Sequence, residues 1–322
     1  MDEVIAKKPA QGEPWDVIIL GSGPAALTAA IYTSRGLTPT LIIGGDVWGG
    51  QLMLTTTVDN FPGFPEGIQG PDLMMAMRKQ AERFGAEFVQ KNATSVDVSR
   101  QPFEVTTATD KYLAKSIIIA TGASTLWLDA PGAKELIGKG VSSCAPCDAA
   151  FFKDKKVAVV GGGDSAMEEA LVLSKYASEV TIIHRREAFR ASATMQQKVQ
   201  SDPKIKVLWN SEVVEVRGQQ KLESLVVKNN KEGSTQELPF DGLFVAIGHK
   251  PESDLLTGKI DLDEKGYIKI SESSKTSVPG VFVAGDVHDW HYKQAITAAG
   301  YGCIAGMDVL KFLEEEKPTS SS

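Results

Sequence analysis

Trp15–Leu20 reads WDVIIL and runs directly into Gly21-Ser22-Gly23-Pro24-Ala25-Ala26, ahead of an alanine-rich stretch that ends near Arg35-Gly36. A short apolar run, then glycines, then helix formers predicts a buried parallel strand, a tight turn and a helix. In such a turn the glycines let backbone approach a ligand closely, and the helix N-terminus offers unpaired N–H groups to a pyrophosphate. Residues 157–160 repeat the pattern, entering Gly161-Gly162-Gly163-Asp164-Ser165-Ala166 and a helix predicted through about Tyr176. Two G-x-G-x-x-A fingerprints in this context predict an α/β chain with two Rossmann-like dinucleotide-binding domains.

Working outward, residues 116–122 (SIIIATG) and 242–248 (GLFVAIG) each read as an apolar strand that ends in glycine and closes one of the two units. Before each closing strand lies a polar stretch with β-type alternation, at 104–112 and at 213–237. Residues 281–286 (VFVAGD) and a helix predicted over about 292–314 are then left over. The first unit's parallel sheet can accept them, which makes the first domain discontinuous, with the second inserted into it. The expected organisation is residues 14–126 with 253–316 as one domain and 127–252 as the other. The opening 1–13, charged and without an apolar core, is expected to be a flexible arm rather than a secretory signal, and 317–322 a disordered tail.

The chain has 322 residues and a formal net charge of −7, which suits neither nucleic acid nor an anionic membrane as partner. No apolar run is expected to reach the ~20 residues of a membrane span. Three cysteines, two of them in a C-x-x-C, do not make a secreted disulfide framework and point to redox or metal chemistry in a reducing cytoplasm.

The second fingerprint declares its ligand the more sharply. Where an NAD site carries an acid for the ribose 2′-hydroxyl, residues 180–183 end in His184-Arg185-Arg186, with Arg190 further on. Cations at that strand end suit the 2′-phosphate of NADP, although a charge run of this kind can also be a solvated basic face. The first fingerprint lacks the acid, since Gly44-Gly45 follows its second strand. Flavin is the better ligand there. Gly49-Gly50-Gln51 offers bare backbone beside an amide, Ala120-Thr121-Gly122 allows close approach, and Gly285-Asp286 places a carboxylate where ribityl hydroxyls could donate to it.

Cys144-Ala145-Pro146-Cys147 precedes the second fingerprint and travels with that unit. Zinc would need two more ligands, and the His288/His291 pair belongs to the other unit, so no metal is expected. A redox dithiol is the better reading, one cysteine attacking and the other resolving. Asp148 adds a proton donor and acceptor beside the sulfurs, a role compatible with helix capping. Cys303 reads as a small core residue.

These segments resemble the low-molecular-weight thioredoxin reductases over about residues 15–313, through GSGPAALTAAIY, GGQLMLTTTVDNFPGFPEGIQG, IIIATGA, CAPCD, VAVVGGGDSAMEEAL, IIHRREAFRAS, FVAIGHKP and VFVAGDVHDWHYKQAITAAGYGC. The resemblance implies a homodimeric FAD enzyme that passes NADPH electrons through the Cys144–Cys147 disulfide to thioredoxin. It places Cys147 toward the flavin, Cys144 on thioredoxin, Asp148 at the proton, and Arg185, Arg186 and Arg190 on the 2′-phosphate. Asn60, Lys293, Gln294 and Ala295 are expected at the flavin, and Ile247 with Gly248 at a cofactor site. Lys293 stands where the family commonly has Arg, Pro146 where it has Thr or Val, and Ala149-Ala150 where a glycine-containing sequence is more frequent. Because nicotinamide and disulfide must reach one flavin while riding on one domain, that domain is expected to rotate between half-reactions. The readings left beside this one are a reductase of a glutaredoxin-like or peroxidase-linked disulfide partner, and a non-enzymatic redox sensor.

Overall fold

The computed structural model describes residues 5–55 and 57–316 and divides into two compact units. One combines the chain up to Ser124 with the chain from Lys250 onward; the other is Thr125–His249. The crossings thus fall two to three residues before the expected ones. They lie inside short extended segments, Ala123–Thr125 and His249–Pro251, where no change of composition marks them.

The first unit is built on a mixed sheet in whose parallel part Trp15–Leu20 lies between Thr40–Ile43 and Lys111–Ile119, while Phe103–Thr107 and Ala93–Asp97 add antiparallel strands beyond. Its alternation decides the layering. Val17 and Ile19 face a core made with Ala26, Ala30, Met74, Ala298 and Ala305, whereas Ile18 and Leu20 face one made with Val96, Phe103, Val105, Leu256 and Ile268. From Val17 on the strand is buried on both faces and needs an apolar residue at every position, which is why VIIL shows no polar alternation. Val281–Val283 pairs in parallel with residues 117–119, so the strand left over in the sequence does join the first unit's sheet.

The final helix is Ala295–Glu315, three residues shorter at its start than expected. Asp289 Oδ1 accepts from the backbone N–H of His291 (3.0 Å) and Tyr292 (2.9 Å), and Lys293 sits at φ 48°, which holds this stretch outside the helix. Among the described residues this helix alone is long and apolar enough to cross a membrane, contrary to the expectation that none is. Its small residues have another use. A Cβ on Gly302 would lie 2.2 Å from Ala25 O, and Ala298, Ala305 and Val309 are buried, so the stripe packs against the Pro24–Arg35 helix. The opening arm carries no helix or strand in its described residues, yet Ala6 is buried and Lys8 pairs with Glu87. The 317–322 tail lies outside the described residues.

The second unit is a five-stranded parallel sheet in the order Val141–Ser142, Gly242–Ala246, Lys156–Gly161, Glu179–Ile183, Ile205–Leu208. Val157 and Val159 point to the helices, while Ala158 and Val160 share a core with Val213, Val216, Leu225 and Val227. Those last residues belong to the antiparallel strands Ser211–Arg217 and Ser224–Asn229, which Thr235–Pro239 extends. The helix after the turn, Asp164–Leu173, stops short of Tyr176, and Ser174–Ala177 continues as a turn whose carbonyls at 174 and 177 accept from Lys204 Nζ.

Candidate active site

In the first unit Gly23 is the N-cap of the Pro24–Arg35 helix, and Pro24 and Ala25 open it, where a missing proline N–H costs no helical bond. Gly21 shows why this turn requires glycine: φ is +116°, and a Cβ would sit 2.1 Å from Ala120 O. Ser22 Oγ donates to Gly44 O (2.6 Å) and accepts from Gly49 N–H (2.9 Å), tying the turn to the next two loops. Gly49 and Gly50 both have positive φ, and Gln51 Nε2 reaches Ala123 O at 3.4 Å. Thr121 Oγ1 donates to Glu252 O (2.6 Å), and Gly122 sits at φ 75°. Asn60 Nδ2 donates to Gln294 Oε1 (3.2 Å), and Gln294 caps the helix that Ala295 begins. Lys293 Nζ donates to Trp290 O.

Asp286 is the anomaly of this unit. Its Oδ1 is buried with no hydrogen-bond partner, as is His288 Nε2. Burial, with the nearby Asp289 charge adding to it and Lys293 opposing, pushes the Asp286 carboxyl up to about 7. A native buried acceptor without a donor calls for one. Beside it Gly285, at φ 77° with Ala25 Cβ 2.8 Å from where its own Cβ would be, keeps the backbone bare. A polyol that donates hydroxyls, such as the ribityl chain of FAD, fits this orphan.

In the second unit Gly163 caps the Asp164–Leu173 helix, with Asp164 and Ser165 in its first turn. Gly161 could not carry a Cβ, which would meet Ala246 O at 2.5 Å and Ala166 Cβ at 2.6 Å. Gly162 O accepts from Arg190 N–H (2.7 Å) and Ala191 N–H (3.2 Å), and Asp164 Oδ1 accepts from Ser192 N–H (2.8 Å) and Ser192 Oγ (2.9 Å). The loop bearing Arg185, Arg186 and Arg190 is thereby laid on the glycine turn, with all three arginines exposed. His184, expected at the cofactor, lies beneath this loop. It is buried, its Nδ1 is 2.9 Å from Gly161 O and its Nε2 3.0 Å from Ala188 O, and it packs on Phe189 and Trp209. Its ring N–H donates to one of these two carbonyls, and with the packing on Phe189 and Trp209 this anchors the loop. Ile247 is exposed, and Gly248, at φ 122°, accepts from Leu126 N–H.

Cys144 and Cys147 form a disulfide, S–S 2.03 Å, across the single helical turn Ala145–Asp148. Cys144 is half-buried and Cys147 exposed. Cys144 N–H donates to Ser142 Oγ (3.1 Å), and Ser142 Oγ in turn donates to Asp148 Oδ2 (2.5 Å). Burial raises the Asp148 carboxyl above the usual carboxylate range, and the Ser142 hydrogen bond partly offsets this. A carboxyl so perturbed beside a disulfide is suited to exchanging a proton with a leaving thiolate. Ala145 N–H donates to Glu169 Oε2 (2.5 Å). Sequence reasoning missed Ser142 and Glu169, and in both cases the signal is slight: one serine of a pair, and one acid of the Glu168-Glu169 pair. Cys303 is half-buried, with its sulfur 4.0 Å from Met307 Sδ. Among the described residues no cluster suited to a metal occurs.

Two dinucleotide-type turns and a closed C-x-x-C disulfide define a flavin- and nicotinamide-linked class of disulfide oxidoreductase. The chain belongs to the pyridine nucleotide-disulphide oxidoreductase family, whose model matches residues 15–302. Within that family it is similar to the thioredoxin reductase of Streptomyces coelicolor, 52% identical over 301 residues that cover 92% of this chain and 94% of the relative. The thioredoxin reductase of Chlamydia trachomatis is 50% identical, covering 92% and 98%. Among solved structures, thioredoxin reductase from Giardia duodenalis superposes with a TM-score of 0.89 at 42% identity, covering 94% and 99%. Lactococcus lactis thioredoxin reductase, described as in its FR conformation, covers the same shares at 40% identity with a TM-score of 0.64.

Proposed function

We propose that this chain acts as a cytoplasmic, homodimeric thioredoxin reductase that draws electrons from NADPH through FAD. The observation that carries the reading is the Cys144–Cys147 disulfide, with Asp148 held beside it by Ser142, in the unit whose glycine turn is overlaid by the loop of Arg185, Arg186 and Arg190. Asp286, Gly285, the Gly21–Ala25 turn and the Ala295 helix start are the residues that would hold FAD. When bound, FAD supplies a two-electron carrier between nicotinamide and disulfide. Arg185, Arg186 and Arg190 would take the 2′-phosphate.

Once the disulfide is open, the chemistry belongs to this chain's own atoms. The Cys144 thiolate attacks the disulfide of oxidised thioredoxin; a mixed disulfide forms as one thioredoxin sulfur leaves and takes a proton, which Asp148 can supply. Cys147 then attacks Cys144 Sγ, the mixed bond breaks, the second thioredoxin thiol departs, and the Cys144–Cys147 bond is restored. Thioredoxin is reduced by two electrons and the dithiol is oxidised by two.

A moving part follows from the chemistry, since nicotinamide and disulfide ride on one unit and must reach the same flavin. We infer that the 125–249 unit rotates between the two half-reactions. Exposed Ile296, Ile304 and Met307 on the last helix, with Tyr32, offer an apolar face that suits a second copy.

The test is NADPH oxidation by the yellow, FAD-loaded protein with thioredoxin and an aromatic disulfide as reporter. Thioredoxin-dependent turnover, lost in Cys144→Ser and in Cys147→Ser, is the expected result. Turnover that survives both substitutions would reject the dithiol relay.

A further inference from the structure

The redox turn has few ways to stay in place when its covalent tether opens. Its backbone donors can be followed one by one. Cys144 N–H goes to Ser142 Oγ, Cys147 N–H (3.2 Å) and Asp148 N–H (3.1 Å) both go to Cys144 O, and Pro146 has no N–H. Beside Cys144 N–H, which the preceding strand's Ser142 accepts, Ala145 N–H is the amide of the turn whose acceptor comes from a helix further along the chain. The acceptor is Glu169 Oε2, at 2.5 Å, on the Asp164–Leu173 helix. Ala145 is 0% exposed, so in the parent protein this amide is satisfied by the carboxylate and not by water.

We propose that Glu169 is a positioning residue of the redox turn: by accepting Ala145 N–H it holds Cys144 and Cys147 in exchange geometry after their bond is reduced. This rests on the thioredoxin reductase reading above. In the oxidised state the disulfide already ties the two cysteines, 5.3 Å apart at Cα, so Glu169 is least needed there. In the dithiol state the tie is gone, and the turn keeps the Ser142 bond, its own backbone bonds, that of Ala149 N–H to Ala145 O among them, and the Glu169 bond. A turn that drifts at this stage presents Cys144 poorly to thioredoxin and places Cys147 poorly for the resolving attack. Hydride delivery to the flavin comes before the disulfide opens, so on this proposal it should be indifferent to the bond.

Three variants separate acceptor from charge and reach. Glu169→Gln keeps an amide oxygen at the same place and drops the charge; Glu169→Asp keeps the charge and retreats by one methylene; Glu169→Ala removes both. In the FAD-loaded proteins, thioredoxin turnover should fall by about tenfold in Glu169→Ala, the loss expected for one hydrogen bond to a charged group. Glu169→Gln should stay within about threefold of the parent, since the acceptor survives. Anaerobic bleaching of the flavin by NADPH should be unchanged in all of them. A second readout needs no turnover: in the dithiothreitol-reduced proteins, the ratio of Cys144 to Cys147 alkylation by iodoacetamide, read by mass spectrometry, should hold in Glu169→Gln and shift in Glu169→Ala. If the alanine variant misfolds, Glu169→Asp takes its place and should show the same defects. Parent-like turnover in the alanine or aspartate variant overturns the proposal, as does a glutamine variant as slow as alanine, or flavin bleaching slowed to the same degree as turnover. A parent protein that fails to reduce thioredoxin would sink the functional reading, while the alkylation ratio still decides the role of Glu169.

Discussion

Asp286 shows how a single residue can be built for a partner that completes it. Its buried, unpartnered Oδ1 and a carboxyl pushed up to about 7 describe a group held against ionisation by burial, with Asp289 nearby. In the flavin-free protein the sign follows from linkage. Unfolding exposes a carboxyl that ionises near its ordinary value of about 4, so the folded chain retains a proton that the unfolded chain releases. The stability contributed by Asp286 is therefore full below about 4, lost as pH rises toward about 7, and flat beyond. Asp286→Asn, neutral throughout, should lack this slope. Thermal melts of the flavin-stripped parent and variant at several pH values check it: the parent's melting temperature should fall relative to the variant between pH 4 and 7 and run parallel above. A constant gap across that range would mean that Asp286 does not carry the raised value.

The cationic loop after the Glu179–Ile183 strand acts as an element, because its arginines are placed by bonds that none of them makes with its side chain. His184 between two carbonyls, Gly162 O under Arg190 and Ala191 N–H, and Asp164 under Ser192 lay the loop on the turn. Charge-assisted bonds from arginine to phosphate are the stronger kind, and their loss falls on the coenzyme that carries the phosphate. Arg185→Ala with Arg186→Ala should erase most of the preference for NADPH over NADH in kcat/KM and leave NADH use nearly as it was. Equal kcat/KM for the two coenzymes in the parent would remove the assignment. The arginines were legible in the sequence because they follow a strand whose partner turn is also legible. The burial of His184 was not, since a histidine beside two arginines gives no sign that its ring packs on Phe189 and Trp209. Glu169 was hidden for a related reason: 24 residues separate it from Ala145, and helix periodicity cannot show which acid faces a neighbouring turn. The strand-turn-helix units themselves could be read because buried parallel strands and glycine turns leave a local mark, whereas caps between elements leave none.

At the scale of the whole molecule the sequence shows that the second unit is inserted, and the last strand does pair where the first unit's sheet has room. What it does not show is where the chain turns from one unit into the other. Each crossing carries a glycine at positive φ, Gly122 at 75° and Gly248 at 122°. A Cβ at Gly122 would meet nothing within 4 Å, and at Gly248 only Leu126 Cδ1 at 3.6 Å, so space does not demand glycine at either place. Backbone freedom does. If the 125–249 unit rotates during turnover, these residues are suited to absorb the change in φ and ψ, and a side chain there adds a cost of about 1 kcal/mol to left-handed conformations. The double variant Gly122→Ala, Gly248→Ala should keep both isolated half-reactions, NADPH bleaching of the flavin and thiol exchange of the pre-reduced enzyme with thioredoxin, within about twofold of the parent. Its steady-state kcat should fall by roughly fivefold to tenfold, the change that about 1 kcal/mol of biased conformational equilibrium produces. Half-reactions slowed as much as kcat would place the effect in cofactor binding, and an unchanged kcat would show that these glycines are not where the chain bends.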